Sequence, residues 1–171
     1  FTTETALYVE MLGENYHTEA IIGLAWKNKD QVYVTTDAAI LTQPIMADWL
    51  TDATKQKTVY DFKRTKVALN NHKIQLKGVH FDILLAAYLL NTTDQSSDIA
   101  ELAQHYGYTA IQSDVAIYGK GAKIAVPEKE RLFDHLARKV IAIEHLTPIL
   151  TEELATKDQT TLFTDMELPL S

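Results

Sequence analysis

The sequence contains no cysteine. That removes disulfides, thiolate metal ligands and a cysteine nucleophile together, and it fits a reducing cytoplasm. Basic residues are in the minority: 16 lysines and arginines stand against 23 acids, a formal net charge of −7. A surface built solely to hold nucleic acid carries a basic excess, so autonomous tight DNA binding is not expected. No apolar run approaches the roughly 18 residues of a membrane span. The longest are short, such as Ile83 to Leu90 with Tyr88 inside it. The opening run from Phe1 to Thr5 has no basic segment and does not read as a signal peptide. It also has no initiator methionine, and the chain closes abruptly on Glu167-Leu-Pro-Leu-Ser171. The expectation is a piece excised from a longer protein.

Common catalytic signatures are missing too. The serines Ser96, Ser97, Ser113 and Ser171 do not form a G-x-S-x-G elbow. The histidines His17, His72, His80, His105, His135 and His145 show no H-E-x-x-H spacing. Gly119-Lys120-Gly121 is too short for a phosphate-binding Walker loop and reads as a flexible loop. Lys63, Arg64 and Lys66 form a small basic cluster, expected to be a solvated helix face.

What is present is a globular pattern. A chain of 171 residues that is 46% hydrophobic and 23% charged can bury a sizeable core and is not a disordered tail. Strands are expected at Ala6–Leu12, Ala20–Trp26, Gln31–Thr35 and Lys57–Tyr60, where β-formers cluster between turn residues. The Gly13–Asn15 stretch punctuates the first connection, and Asn28, Lys29 and Asp30 close a hairpin between the second and third strands. Helices are expected at Pro44–Leu50, from an Asp61 cap to about Asn71, and over Ile83–Leu90 behind an Asp82 cap. The last of these is apolar all round and so expected to be buried. A polar loop covers Asn91–Ser97, and Asp98 with Glu101 suggests a capping box for a helix ending near Tyr106. Pro127 opens a long helix to about Thr156, with Leu132, Leu136, Val140, Ile143, Leu146 and Leu150 on one stripe. Strands followed by helices, without a linker or repeat, predict one α/β domain with a mixed sheet.

Three blocks give the chain a family likeness. The run Lys73-Ile-Gln-Leu-Lys-Gly-Val-His-Phe-Asp82, continued by Ile83 to Asn91, closely resembles the 3′–5′ exonuclease domain of bacterial DNA polymerase I, family A. So do Ala20-Ile-Ile-Gly-Leu-Ala25 and Tyr118-Gly-Lys-Gly-Ala-Lys123. The order and spacing of the blocks extend the resemblance over essentially the whole chain. The closing Glu167–Ser171 looks like the junction to a polymerase domain. Glu14-Asn-Tyr-His17 and Leu136-Ala-Arg-Lys139 are most like the versions from low-GC Gram-positive bacteria, in which the domain is vestigial and no longer proofreads.

The resemblance implies a ribonuclease H-like fold, a mixed central sheet flanked by helices. Active members hold two divalent metals with four carboxylates: D-x-E on a strand, an Asp on a later helix, and Tyr-x-x-x-Asp on a final helix. Two such ions activate water and stabilise the leaving oxygen, and hard cations need carboxylate oxygens. Aligning the apolar pattern of the first strand puts Val9 and Met11 at the D-x-E positions. A one-residue shift puts Tyr8 and Glu10 there instead, and the first register is preferred. The helix Asp falls on Thr65. His135 replaces the Tyr and Lys139 the last Asp. An ammonium reverses the sign of a ligand: a unit charge pair at ~4 Å and a dielectric of ~20 is worth about 4 kcal/mol, and a divalent ion would feel roughly twice that as repulsion. Glu10, Asp61, Asp134 and Glu144 are acids close by, at the wrong phase of their elements for the family geometry.

The resemblance therefore implies a single degenerate 3′–5′ exonuclease-like domain over residues 1–171, with a polymerase domain following residue 171. No catalytic residue, cofactor or metal is expected in this domain, and Val9 and Met11 are expected to fill the vacated site near Thr65. Mg²⁺ is expected only for the parent polymerase, a nucleotidyltransferase of DNA replication and repair. The implied partners are the polymerase domain of the same chain and, through the parent protein, DNA. The protein is expected to be cytoplasmic and monomeric, with no membrane contact. The alternatives are a residual two-metal exonuclease with displaced ligands and a single-stranded DNA-binding module.

Overall fold

The computed structural model describes residues 4–11, 21–28, 31–90, 99–119 and 125–156. Five strands form one mixed sheet: β1 (Glu4–Met11), β2 (Ile21–Asn28), β3 (Gln31–Thr35), β4 (Gln56–Val59) and β5 (Val79–Asp82), in the order β3-β2-β1-β4-β5. The β1/β2 and β2/β3 pairs are antiparallel, and β1/β4 and β4/β5 are parallel. The helices are α1 (Pro44–Thr51), α2 (Phe62–Asn70), α3 (Ile83–Leu89), α4 (Ile99–His105), α5 (Asp114–Tyr118) and α6 (Lys129–Thr156). A 3₁₀ turn at Ala38–Thr42 precedes α1. Among the described residues no helix is long and apolar enough to cross a membrane.

The two-residue period of a strand divides the core. From β1, Ala6 and Tyr8 join the cluster built by α3, α4 and α6. Leu7, Val9 and Met11 join the opposite cluster, with residues of α1 and α2. The α6 stripe is as expected: Leu132, Leu136, Val140, Ile143, Leu146 and Leu150 are all buried. This helix lies close over β2 because Gly23 lacks a side chain. A Cβ there would sit 2.5 Å from Leu136 Cδ1. Gly23 is also the cross-strand partner of Glu10.

Two polar residues join layers. Asp82 Oδ1 accepts from the backbone N–H of Asp61 at 2.9 Å and of Leu84 at 3.0 Å, and Oδ2 accepts from Phe62 at 2.9 Å. One carboxylate thus caps both α2 and α3, whose apolar sides face opposite cores. Asp61 itself holds φ at 66° and caps α2 through Arg64 N–H. Lys57, buried in β4, donates to the carbonyls of Asp52 (3.1 Å), Lys55 (2.8 Å) and Lys77 (2.6 Å), so each ammonium proton has an acceptor. Burial pushes the Lys57 amine down to about 8.

Most expected elements are present with boundaries moved by a residue or two. Three points differ. Strand β5 is an addition to the expected strands: its four residues are too short to show a period, and the last of them, Asp82, reads as a helix cap. Helix α5, of five residues, was likewise not expected. The Ile83–Leu90 segment is not buried all round, because Tyr88 is 52% exposed and only Ile83, Ala86 and Ala87 of α3 are fully inside. Helix α3 lies over the sheet with one side outward. The Gly13–Asn15 punctuation, the Lys29 and Asp30 turn, the Asn91–Ser97 loop, the Asp98 cap and residues 120–123 lie outside the described residues.

Candidate functional site

The polar residues buried in the sheet–α6 layer converge on one point. Glu10 is 1% exposed, Lys139 is 1% and His135 is 2%. Strand β1 projects Tyr8 and Glu10 towards α6, and α6 presents His135 and Lys139 one turn apart on a shared face. Helix α5 supplies Asp114 at its first turn and Tyr118 at its last. The Lys139 ammonium pairs with Glu10 Oε2, lies 2.7 Å from Asp114 Oδ1 and donates to Tyr8 Oη at 3.1 Å. Its three protons are thereby used. His135 Nε2 is 2.8 Å from the same Asp114 oxygen, and Tyr118 Oη donates to Glu10 Oε2 at 3.0 Å. The Tyr8 ring flanks the ammonium, its centroid 4.4 Å from Nζ.

The electrostatics of this cluster keep the lysine charged. Burial would lower the Lys139 amine, but Glu10, Tyr8 and Asp114 around it hold it well above its ordinary value. Burial would raise Asp114, yet the adjoining ammonium and the His135 hydrogen bond hold it far below the usual carboxylate range. Burial, reinforced by Glu10, pushes the phenols of Tyr8 and Tyr118 upward, so both are neutral donors or acceptors.

One oxygen each from Glu10 and Asp114 and one His135 nitrogen lie within 4.8 Å of one another, close enough to surround a cation. The donor types suit a divalent metal. The charge does not: Lys139 already binds one oxygen of each carboxylate, and a metal ion would have to share them with an ammonium or expel it. The cluster as it stands does not fit a divalent ion, and far less a pair of ions held by four carboxylates.

The structure places the residues predicted from sequence as follows. His135 and Lys139 are together in the cluster. Tyr8 and Glu10 meet them, whereas Val9 and Met11 point to the opposite core with Phe62, Ala68 and Leu69 of α2. Of the two registers weighed, the Tyr8/Glu10 pair is the one that shares a layer with His135 and Lys139, because neighbouring side chains of one strand take opposite faces. Glu10 therefore lies in that layer and not across the sheet from it. Thr65 is buried in α2, its Oγ1 donating to the Asp61 carbonyl at 2.9 Å. Asp61 is a helix cap, Asp134 pairs with Arg138, and Glu144 pairs with Lys27. Asp114 was not anticipated. Its only sequence signal is the four-residue spacing to Tyr118, which is too slight to mark a helix.

Comparison with known proteins gives this architecture a family. The model of the DNA polymerase I, ribonuclease H-like domain matches residues 7–146. The chain belongs to that family. It is 44% identical over 168 residues to DNA polymerase I of Geobacillus stearothermophilus, and 40% identical over 167 residues to that of Bacillus subtilis (strain 168). Each alignment covers 98% of this chain but 19% of the relative, so the chain spans about a fifth of those polymerases. Among solved structures, Brucella melitensis NrnC superposes with a TM-score of 0.76 at 17% identity, over 94% of this chain and 78% of that one. The POL domain of Pol1 from M. smegmatis, in complex with DNA primer-template and dNTP, gives 0.71 at 23% identity, over 96% of this chain and 26% of that one. These likenesses show the ribonuclease H-like exonuclease fold. The chain is thus an exonuclease domain of the DNA polymerase I type.

Proposed function

We propose that this exonuclease domain is catalytically silent and serves as structural support for a polymerase domain in the same chain, within a DNA polymerase I of replication and repair. The supporting observation is Lys139 held between Glu10 and Asp114. In this reading Tyr8 and Glu10 stand at the D-x-E positions, Thr65 at the helix Asp, and His135 and Lys139 at the Tyr and final Asp. One carboxylate of four survives, and it is neutralised by a lysine. Asp114 has no counterpart in the family set; it supplies the second negative charge that the ammonium needs. The domain requires no metal, and Mg²⁺ belongs to the polymerase domain. The parent protein works as a cytoplasmic monomer.

The test is degradation of an end-labelled single-stranded oligonucleotide with Mg²⁺ or Mn²⁺, beside a catalytically intact relative. The expected result is no cleavage at high protein concentration. Metal-dependent cleavage that survives repurification, and is lost in Glu10→Gln or Asp114→Asn, would overturn the reading and favour a rebuilt exonuclease.

A further inference from the structure

Charge is strongly segregated along this acidic chain. Residues 55–80 hold seven of its 16 lysines and arginines but one of its 23 acids, Asp61. Two of the seven are committed internally: Lys57 is buried among carbonyls, and Arg64 donates to the Met11 carbonyl at 2.8 Å. Lys63, Lys66 and Lys77 are exposed and line one groove of about 640 Å³.

The groove has two walls. One is the exposed stripe of α2, where Lys63, Lys66 and Asn70 follow the helical period beside the buried Phe62, Thr65 and Leu69. The other is the extended stretch 74–77, tied down by the Ile74 N–H to the Leu69 carbonyl (3.0 Å) and the Lys77 N–H to the Leu50 carbonyl (2.9 Å). Its residues alternate: Ile74 and Leu76 are buried as an apolar floor, and Gln75 and Lys77 point out. Lys63 and Lys66 are about 4.5 Å apart along the helix axis, and Lys77 faces them across the groove. Because α2 covers the sheet face opposite α6, the groove lies on the far side of the sheet from Lys139.

We propose that this groove is a docking site for single-stranded DNA, with Lys63, Lys66 and Lys77 on the phosphates, Asn70 and Gln75 on polar base edges, and Ile74 and Leu76 beneath the base. A cationic channel over an apolar floor complements a chain that alternates phosphate with flat, weakly polar rings. The volume is that of a small-ligand pocket, on the scale of one or two nucleotides. The choice of DNA as the polyanion rests on the DNA polymerase reading; the groove itself does not.

Fluorescence anisotropy of a labelled dT12 oligonucleotide tests this, with EDTA present so that no nuclease activity intervenes. At 25 mM salt the wild-type chain is expected to bind with Kd roughly 10⁻⁴ to 10⁻⁵ M. Its log K should fall with log salt at a slope near −2, from three contacts at about 0.7 each. The Lys63→Glu/Lys66→Glu/Lys77→Glu chain should bind at least about tenfold more weakly with most of that slope lost. The control Lys129→Glu, on exposed α6 surface, should stay within about twofold. The neutral Lys63→Gln/Lys77→Gln chain covers poor folding of the triple variant and should lie between. Amide exchange over 63–77 should slow when dT12 is added. Absence of salt-dependent binding, equal binding by the triple variant, or tighter binding of a duplex of the same length would each overturn the proposal. DNA cleavage with metal would defeat the silent reading while leaving these EDTA measurements intact.

Discussion

Asp114 and Lys139 meet at 2.7 Å, tying the five-residue α5 to the 28-residue α6. Helix α5 is too short to hold its shape by itself, so its place over β1 depends on this contact, on the His135 contact to the same oxygen, and on the Tyr118 bond to Glu10.

Removing the ammonium should therefore cost more than a surface charge. Lys139→Met leaves Glu10 buried without its counter-charge, and stability should fall by about 3 kcal/mol or more. Glu10→Gln alone should also destabilise. The double variant should recover part of the loss, giving a coupling of about 1–3 kcal/mol in a denaturant-melt cycle. A coupling near zero would show that the two charges act independently.

Metal response should change with the same residue. Mg²⁺ or Mn²⁺ should leave the melting temperature of the wild-type chain unchanged, and so should EDTA. In Lys139→Ala the two carboxylates and His135 are released, and Mn²⁺ at about 100 times its Kd should add about 2.7 kcal/mol. Calorimetric melting with and without chelator reads this directly, and an equal shift in both chains would refute it.

Lys57 predicts a stability that rises with pH in the alkaline range. Its amine sits at about 8 in the fold against 10.5 unfolded, so between those values the unfolded chain binds more protons and stability rises with pH. The gap between the wild type and Lys57→Met should move in favour of the wild type from pH 8 to pH 10.5, by about 2 kcal/mol. Paired urea melts across that range would show it; a flat difference would mean that the three carbonyls hold the amine at its ordinary value.

Gly23 should tolerate no side chain. Gly23→Ala places a methyl against the buried Leu136 and should cost about 1–3 kcal/mol by overpacking. Leu136→Ala in the same chain should return part of that loss, as measured by thermal melting.

Much of the fold was legible because its signals are long. The α6 stripe repeats over five turns, and β1 to β3 are bounded by turn residues. β5 and α5, of four and five residues, are shorter than the periods that would reveal them. The site was half legible. His135 and Lys139 are one helical turn apart and were found from the motif they resemble. On β1, however, both faces are buried, so apolar residues carry no information about which side looks towards α6. Matching the apolar pattern chose Val9 and Met11, while the charge requirement of Lys139 selects Glu10 and, by alternation, Tyr8. Asp114 escaped because its role arises only when α5 folds back across 21 residues to reach His135.

The double cap at Asp82 has a consequence for how the protein opens. Helices α2 and α3 belong to opposite layers, yet their first turns share one acceptor. Fraying of either helix would strip a cap from the other, and the two cores would lose protection together. Separate layers joined in this way behave as one exchange unit, so the sheet's parallel edge should resist shear between its two coats and yield as a whole.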